Sequence, residues 1–207
     1  MKRTKAVSKE FPAGRELFRQ GSAAQSVYLI ERGIVKLLHL GEGGKEIIIG
    51  LRYPGWFLGA APAISQTSHS VTALTLTQCR IRCFPARHFL NLTKTDADFS
   101  WDIQQHLSRG IDQYINRLTD IGGFPARQRL ERLLHELGAA MEPDEPKGIT
   151  RFRLPLKQWE IAQLLAIRPE YLNRLLKGMQ EEGVISREKG RVILCNLKRL
   201  STYDRSE

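Results

Sequence analysis

The alternation of apolar and polar positions is clearest near the C-terminal end of the chain, where it predicts two short helices and a β-hairpin. Within 157–179, KQWEIAQLLAIRPEYLNRLLKGM, apolar residues recur at helical spacing on both sides of a break at 166–168. Within 184–195, alternating apolar residues flank a turn at Lys189-Gly190, which is typical of two paired strands. The spacing of the helices predicts a helix-turn-helix, and the hairpin predicts a wing.

Short alternating runs broken by glycine occupy the chain from residue 11 to about residue 92. They include SVYLIERG, IVKLLHLGEGG and KEIIIGLRYPG, whose glycines mark turns. Runs of this length predict an antiparallel β-barrel or sandwich. Together with the helices that follow, they predict an α+β fold with an N-terminal barrel.

A long helix is predicted at 96–121, with one apolar stripe along it. The stripe consists of Phe99, Ile103, Leu107, Ile111, Tyr114, Leu118 and Ile121. It can pack on its own barrel, but we favour a two-fold related partner helix, because a lone helix cannot bury such a stripe. Glycines at 122–123 then end the helix. We predict a barrel sensor domain at 1–95, a dimerisation helix at 96–121 and a winged helix-turn-helix domain at 122–207.

The second helix of the motif leaves polar side chains between its inward apolar positions. Glu170, Asn173 and Arg174 have donors and acceptors that suit base edges, since Arg can donate twice to a guanine and Glu can accept from a cytosine amino group. A second set suits contacts to phosphates: Lys157, Gln158, Arg168, Tyr171, Lys177, Arg187 and Lys189. We therefore expect double-stranded DNA as a partner. The same face is also compatible with a solvated helix that carries a Glu170–Arg174 ion pair.

Composition supports a folded chain with a polyanionic partner. The 207 residues are 42% hydrophobic, and the formal net charge of +10 is spread over both parts of the chain. No apolar run approaches the ~20 residues of a membrane span, and residues 1–9 resemble a disordered basic tail rather than a signal peptide. The three cysteines, Cys79, Cys83 and Cys195, form no CxxC motif. We expect a cytoplasmic protein without a membrane partner.

The order of these parts resembles the Crp–Fnr family of bacterial transcription regulators. The resemblance rests on LPLKQWEIAQLL and RPEYLNRLLKGMQEEGVIS, and also on ERGIVKL, GKEIIIGLRYPGWFLG and VTALTLTQCRI. It implies a barrel of the double-stranded β-helix or jelly-roll type and a homodimer that binds a two-fold symmetric DNA site under the control of an effector. RNA polymerase and a role as activator are further implied. The face formed by Glu170, Asn173 and Arg174 resembles the Fnr-like branch, which implies a half-site closer to TTGAT than to TGTGA.

The barrel departs from the members of that family that bind cyclic nucleotides. Their phosphate cassette has a Gly-Glu pair and a later Arg-Ser pair, whereas this chain has Gly59-Ala60 and then Gln66-Thr67-Ser68-His69. Cyclic AMP is therefore disfavoured, because an anionic phosphate needs the missing guanidinium. An iron–sulfur cluster is disfavoured as well, because residues 1–14 contain no cysteine. The predicted effector pocket is apolar and consists of Trp56, Leu58, Gly59, Ala60 and His69.

Two other non-enzymatic functions are compatible with the sequence. Haem is a minor possibility for the otherwise unknown cofactor, with His69 or His106 as the axial ligand. An architectural DNA binder that responds to no effector is a further alternative. Catalysis is not expected, because the sequence has no metal-ligand cluster, P-loop, GxSxG or HExxH motif. We predict no enzyme activity and no metal site.

Overall fold

The computed structural model describes residues 6–141, 152–188 and 191–195. The chain divides into two compact units, Met1–Asn116 and Arg117–Glu207, and the division falls within one long helix. Among the described residues, no helix has both the length and the apolar character needed to cross a membrane.

Unit 1 contains two four-stranded antiparallel sheets. Its strands are β1 (Val7–Phe11), β2 (Glu16–Phe18), β3 (Ser26–Arg32), β4 (Val35–Leu40), β5 (Glu46–Arg52), β6 (Phe57–Leu58), β7 (Thr72–Thr75) and β8 (Cys79–Pro85). One sheet has the order β1-β8-β3-β6 and the other β2-β7-β4-β5. Consecutive strands thus alternate between the sheets, except that β4 and β5 form a hairpin within the second sheet. The predicted α+β fold with an N-terminal antiparallel barrel is confirmed.

The core of unit 1 lies between these two sheets. Ile30 and Ile81 from the first sheet pack with Val35, Leu37 and Ala73 from the second, and all five are buried. In β8 the burial of side chains alternates along CRIRC, as expected for a strand with one face inward. Cys79 and Ile81 thus lie on the inward face of β8, and both are buried.

The N-terminal segment is more ordered than the sequence suggested. Lys9 lies in β1 and pairs with Ile81 of β8 in an antiparallel register. The prediction of a disordered tail up to residue 9 is therefore wrong for its last residues, because main-chain pairing fixes them at the edge of the sheet. Residues 1–5 lie outside the described part of the chain.

Three helices complete unit 1, and the third continues into unit 2. They are α1 (Ala60–Ser65), α2 (Ala86–Thr95) and α3 (Ala97–Gly123). Gly59 precedes α1 with a φ of 76°, and a Cβ there would come within 3.0 Å of the His69 ring. Glycine is suited to this position because it tolerates both the left-handed backbone and the close approach.

The apolar stripe of α3 has two different environments. Phe99, Ile103 and Leu107 pack against the core of their own unit, where Ile103 is only 2% exposed. By contrast, Ile111 is 61% and Leu118 72% exposed. Ile103 is therefore covered within its own unit and not available to a partner, whereas Phe99 and Leu107 are half-buried. A partner helix along the rest of the stripe stays a prediction.

Unit 2 holds the end of α3 and a compact helical bundle with a small sheet. Its further elements are α4 (Ala126–Ala140), β9 (Phe152–Arg153), α5 (Gln158–Leu164), α6 (Pro169–Glu181), β10 (Ile185–Glu188) and β11 (Arg191–Leu194). The sheet has the order β10-β11-β9, and its β10–β11 hairpin is the predicted wing. Leu134 of α4, Ile161 of α5 and Leu176 of α6 are fully buried.

Candidate nucleic-acid interface and effector pocket

The turn between α5 and α6 is held by arginines from outside the motif. Ala166 has a φ of 51°, which reverses the chain at the predicted break. Arg129 donates to the backbone oxygen of Leu165 at 3.0 Å, and Arg117 donates to that of Leu164 at 3.3 Å. These bonds satisfy carbonyl groups that the end of a helix leaves without intrahelical partners.

Arg129 also binds the end of α3. Its Nη1 donates to the backbone oxygens of Phe124 at 2.7 Å and Ile121 at 3.1 Å. The same guanidinium therefore contacts the C-terminal ends of α3 and α5. Within unit 2, the orientation of the helix-turn-helix is thus tied to the last turn of α3.

Helix α6 has the polarity expected of a recognition helix. Leu172, Leu176 and Met179 are buried against the domain, whereas Glu170, Asn173 and Arg174 are exposed. The three predicted base-reading residues therefore lie on the same helix and are accessible. Pro169 occupies the first helical position, where its missing N–H leaves no donor unsatisfied.

Two contacts arrange the side chains on this face. The Arg174 guanidinium lies over the Tyr171 ring, with 5.2 Å between Cζ and the ring centre. Arg187 in β10 donates to the side-chain oxygen of Asn173 at 3.3 Å. Within the described residues no ion pair joins Glu170 and Arg174, so the i,i+4 pair of the alternative interpretation does not form.

The predicted phosphate contacts that the structure describes lie at the starts of α5 and α6, along α6 and in β10. Lys157 and Arg168 are the residues immediately before α5 and α6, and neither side chain caps its helix. Instead, the Glu160 carboxylate accepts from the Lys157 backbone N–H at 2.7 Å. Lys177 is exposed, Gln158 and Arg187 are half-buried, and Lys189 lies outside the described residues.

A network of charged groups ties α6 to α4. Arg127 donates to the Glu182 carboxylate at 2.7 Å and to Glu131 at 2.9 Å. These two carboxylates raise the pKa of the Arg127 guanidinium and hold it charged. Since Glu182 follows the last residue of α6, the network supports the recognition helix at the end remote from Arg168.

A pocket of about 260 Å³ lies in unit 1 between the sheets, α1 and α3. All five residues of the predicted effector pocket line it: Trp56, Leu58, Gly59, Ala60 and His69. His106, the other histidine weighed as a haem ligand, lines it too. The structure therefore brings together the residues that the sequence placed in one site.

The two pocket histidines are buried in apolar surroundings. The His69 ring stacks on Phe18 at 3.8 Å between ring centres, and Nε2 of His106 lies 3.1 Å from the Phe57 backbone oxygen. Burial lowers the pKa of both histidines below the ordinary value. Both side chains are therefore neutral near pH 7. No group of three or more potential metal ligands occurs among the residues described.

Arg52 and Tyr114 are the two polar residues of the lining that carry a hydrogen bond between β5 and α3, and neither was predicted to lie in the pocket. Arg52 closes β5 and shares its inward face with Ile48 and Gly50. Period-two counting from Ile48 would have placed its side chain inside the barrel. Tyr114 was assigned to the stripe of α3, but its hydroxyl accepts a hydrogen bond from Arg52 at 2.7 Å.

Comparisons with known proteins identify the family of the chain. Residues 8–96 match the family model of the cyclic nucleotide-binding domain, and residues 128–203 match that of the Crp-like helix-turn-helix domain. The chain belongs to the Crp–Fnr family of transcription regulators. Its Crp–Fnr helix-turn-helix is a DNA-binding domain, which confirms the interpretation of the C-terminal pattern.

Relatives within the Crp–Fnr family match nearly the whole chain. A probable transcriptional activator from Rhizobium leguminosarum bv. viciae is 26% identical over 189 residues, which is 91% of this chain and 77% of that protein. The transcriptional activator protein FnrL of Cereibacter sphaeroides is 26% identical over 197 residues, with 93% and 78% covered. The structure of FixK2 from Bradyrhizobium japonicum is similar in fold, with a TM-score of 0.77, 19% identity and coverage of 98% and 99%.

Proposed function

We propose that this Crp–Fnr regulator binds a two-fold symmetric DNA site as a homodimer, and that a small effector other than cyclic AMP controls its affinity. The observation that carries the proposal is the polar face of α6, where Glu170, Asn173 and Arg174 are exposed beside the wing. A helix of this kind enters the major groove with its N-terminal residues at the base edges. We expect the protein to act in the cytoplasm and to have no catalytic activity.

Base choice is assigned to the three exposed residues. Arg174 donates twice to a guanine, Glu170 accepts from a cytosine amino group, and Asn173 offers both a donor and an acceptor. The resemblance of this face to that of the Fnr-like branch supports a half-site closer to TTGAT than to TGTGA. The phosphate contacts then come from the surrounding set: Lys157, Gln158, Arg168, Tyr171, Lys177, Arg187 and Lys189.

The exposed half of the α3 stripe is the proposed dimer interface. Ile111, Ile115 and Leu118 lie on one helix face at spacings of four and three, and each is more than half exposed. Burying these side chains against a second copy is favourable by about 1.5–3 kcal/mol each. A two-fold dimer presents two recognition helices, which suits inverted half-sites whose centres are about 34 Å apart.

The effector is assigned to the unit 1 pocket. Ala60 stands where the cyclic-nucleotide cassette has its glutamate, and most of the lining is apolar. Helix α3 contributes to this pocket and continues to the residues that Arg129 holds beside α5. We expect the occupied pocket to change the geometry of α3 and thereby DNA affinity and the contact with RNA polymerase.

The test compares DNA affinity on three labelled duplexes by fluorescence anisotropy. They carry inverted TTGAT half-sites, inverted TGTGA half-sites and a scrambled sequence. We expect the order of affinity to be TTGAT, TGTGA and scrambled, and Arg174→Ala to cost ~1–3 kcal/mol on the first duplex only. The matched variant Lys177→Ala should weaken all three equally. Equal affinity of the wild type for all three duplexes would contradict sequence-specific regulation.

A further inference from the structure

Arg52 is a buried cation in the wall of the effector pocket. It is 5% exposed, and its guanidinium lies near two aromatic rings. The distance from Cζ to the ring centre is 4.7 Å for Trp56 and 5.2 Å for Tyr114. Ring faces attract a cation, but a contact of this kind contributes only ~0.5–2 kcal/mol. The two rings therefore compensate only part of the cost of burying the charge.

The hydrogen bonds of Arg52 leave most of its donors available. Its Nη1 donates to the backbone oxygen of Leu51 at 2.8 Å, and its Nη2 donates to the Tyr114 hydroxyl at 2.7 Å. A guanidinium has five N–H groups, so three have no acceptor among the residues that the structure describes. No described carboxylate pairs with Arg52, and burial lowers the pKa of its guanidinium. Arginine nevertheless stays charged at neutral pH.

The remaining lining of the pocket carries no opposing or additional charge. No aspartate or glutamate lines it, and Arg52 is its only lysine or arginine among the described residues. His69 and His106 are neutral near pH 7 because burial lowers their pKa values. A ligand with a single negative charge would therefore balance the pocket, whereas a dianion would bring an uncompensated charge into it.

The other walls favour an aromatic or similarly flat apolar body. Phe18 and Leu37 line the pocket from the sheets, Trp56 lines it from the turn before β6, and Leu107 and Ile111 line it from α3. A dry cavity of ~150 Å³ accommodates a benzene molecule, and this pocket measures about 260 Å³. It thus offers space for one or two rings with a short acidic group.

We propose that the effector is a small aromatic carboxylate whose carboxylate binds the Arg52 guanidinium and whose ring packs against Trp56. This inference rests on the proposed function, because it names the ligand of the same pocket. A carboxylate matches the paired N–H groups of a guanidinium geometrically and forms charge-assisted hydrogen bonds. No proton transfer or covalent step is involved.

Tyr114 links this carboxylate site to α3. Its hydroxyl occupies one donor of Arg52, and the residue lies on α3 between the exposed positions Ile111 and Leu118. A carboxylate at Arg52 competes for that donor, so binding of the ligand changes the bond that holds α3 to β5. The coupling between pocket and DNA affinity then depends on the Tyr114 hydroxyl, whereas ligand binding itself does not.

The binding test uses ligand-observed NMR with the full chain at millimolar probe concentrations. The probes are phenylacetate and indole-3-acetate, with phenylacetamide and indole-3-acetamide as neutral controls of the same shape. We expect each carboxylate to bind about tenfold more tightly than its amide. Arg52→Gln should abolish this preference, Arg52→Lys should retain part of it, and the exposed control Arg87→Gln should leave it unchanged.

Several outcomes would overturn the carboxylate assignment. They are the absence of binding by both carboxylates, equal binding of acids and amides, survival of the preference in Arg52→Gln, and micromolar binding of cyclic AMP. If Arg52→Gln does not fold, Arg52→Lys provides the decision, because loss of bidentate geometry must weaken the preference. Circular dichroism of each variant identifies that case.

DNA affinity measured on the same samples separates this inference from the proposed function. If the wild type binds its DNA site but no carboxylate, the ligand class is wrong and the regulator function stands. If the wild type binds carboxylates through Arg52 but binds no DNA sequence selectively, the ligand class stands and the proposed regulator function is wrong. In Tyr114→Phe we expect carboxylates to bind at least as tightly as in the wild type but to leave DNA affinity unchanged. A wild-type DNA response in that variant would contradict the proposed link.

Discussion

Arg187 in the wing donates hydrogen bonds to Asn173 on α6, with its Nη2 atom 3.3 Å from the side-chain oxygen and 3.4 Å from the backbone oxygen of that residue. The wing therefore orients a side chain that we assign to base reading, in addition to any contact that Arg187 makes with phosphate. Asn173 is exposed, so without this bond its amide group would sample several rotamers.

Arg187→Met should therefore reduce specificity as well as affinity. Loss of a hydrogen bond of this kind costs ~1 kcal/mol, which corresponds to about fivefold in affinity. We expect Arg187→Met to lower the affinity for the cognate duplex about fivefold more than the affinity for scrambled DNA. Lys177→Met is the matched comparison, since it removes a charge from α6 without a bond to Asn173. If Arg187→Met weakens cognate and scrambled DNA equally, Arg187 contacts only phosphate.

The recognition helix was predictable because its information is local. The 3.6-residue period of Leu172, Leu176 and Met179 and the proline at its first turn specify both the helix and its buried face. Asn173, Arg174 and Lys177, the polar residues between those positions, are then exposed. The wing contact to Asn173 was not predictable, because it depends on which residue of the hairpin lies beside α6.

The pocket and the α3 stripe show where such local reasoning fails. Ile103 and Leu118 have the same spacing pattern, yet the first is covered within its own unit and the second is exposed. Periodicity identifies the apolar face of a helix but not its partner. Arg52 was missed because a charged residue at the end of a strand is usually solvated, whereas here the inward face of β5 extends to its last residue.

Dimerisation should depend on the exposed half of the α3 stripe. Replacing Ile115 and Leu118 together by Asp removes two apolar side chains that we place in the interface and adds two charges there. We expect monomers in sedimentation velocity at concentrations where the wild type is dimeric. The control pair Gln105→Asp and Asn116→Asp adds the same charges at exposed polar positions of α3. A dimer in the Ile115/Leu118 variant would contradict the interface.

Acidification should destabilise the protein through His106 and His69. Burial lowers their pKa values in the folded state, so the unfolded chain binds protons more readily there. The stability that the neutral histidines maintain is present above the unfolded pKa of ~6.5 and is lost as the pH falls below it. We expect the urea midpoint to decrease between about pH 7 and pH 5.

His106→Gln should make that decrease smaller. A glutamine amide can still donate to the Phe57 backbone oxygen that His106 approaches at 3.1 Å, but it takes up no proton. The nearby guanidinium groups of Arg52 and Arg109 also oppose protonation of His106. If the variant loses as much stability as the wild type over the same range, protonation of His106 is not linked to unfolding.

Lys157 and Arg168, the residues before α5 and α6, should lower the stability of the free protein and raise its affinity for DNA. Lys157 and Arg168 place a positive charge at the positive end of a helix dipole, which is unfavourable by ~0.3–1 kcal/mol each. Neither side chain can accept the N–H bonds that a serine would accept. Before α5, serine would complete a capping box, because Glu160 already accepts from the backbone of the preceding position.

Lys157→Ser and Arg168→Ser should therefore raise the thermal stability of the free protein, Lys157→Ser more strongly. Bound DNA makes these positive charges favourable. A phosphate beside the start of α6 pairs with Arg168 and accepts a hydrogen bond from the backbone N–H of Glu170. That N–H has no acceptor among the described residues. Each substitution should weaken cognate and scrambled DNA alike and lower the salt slope of binding by about 1. Scanning calorimetry and anisotropy titrations at several salt concentrations measure both effects. If Arg168→Ser leaves the affinity for scrambled DNA and its salt slope unchanged, Arg168 does not contact phosphate and is only an unfavourable residue at a helix start.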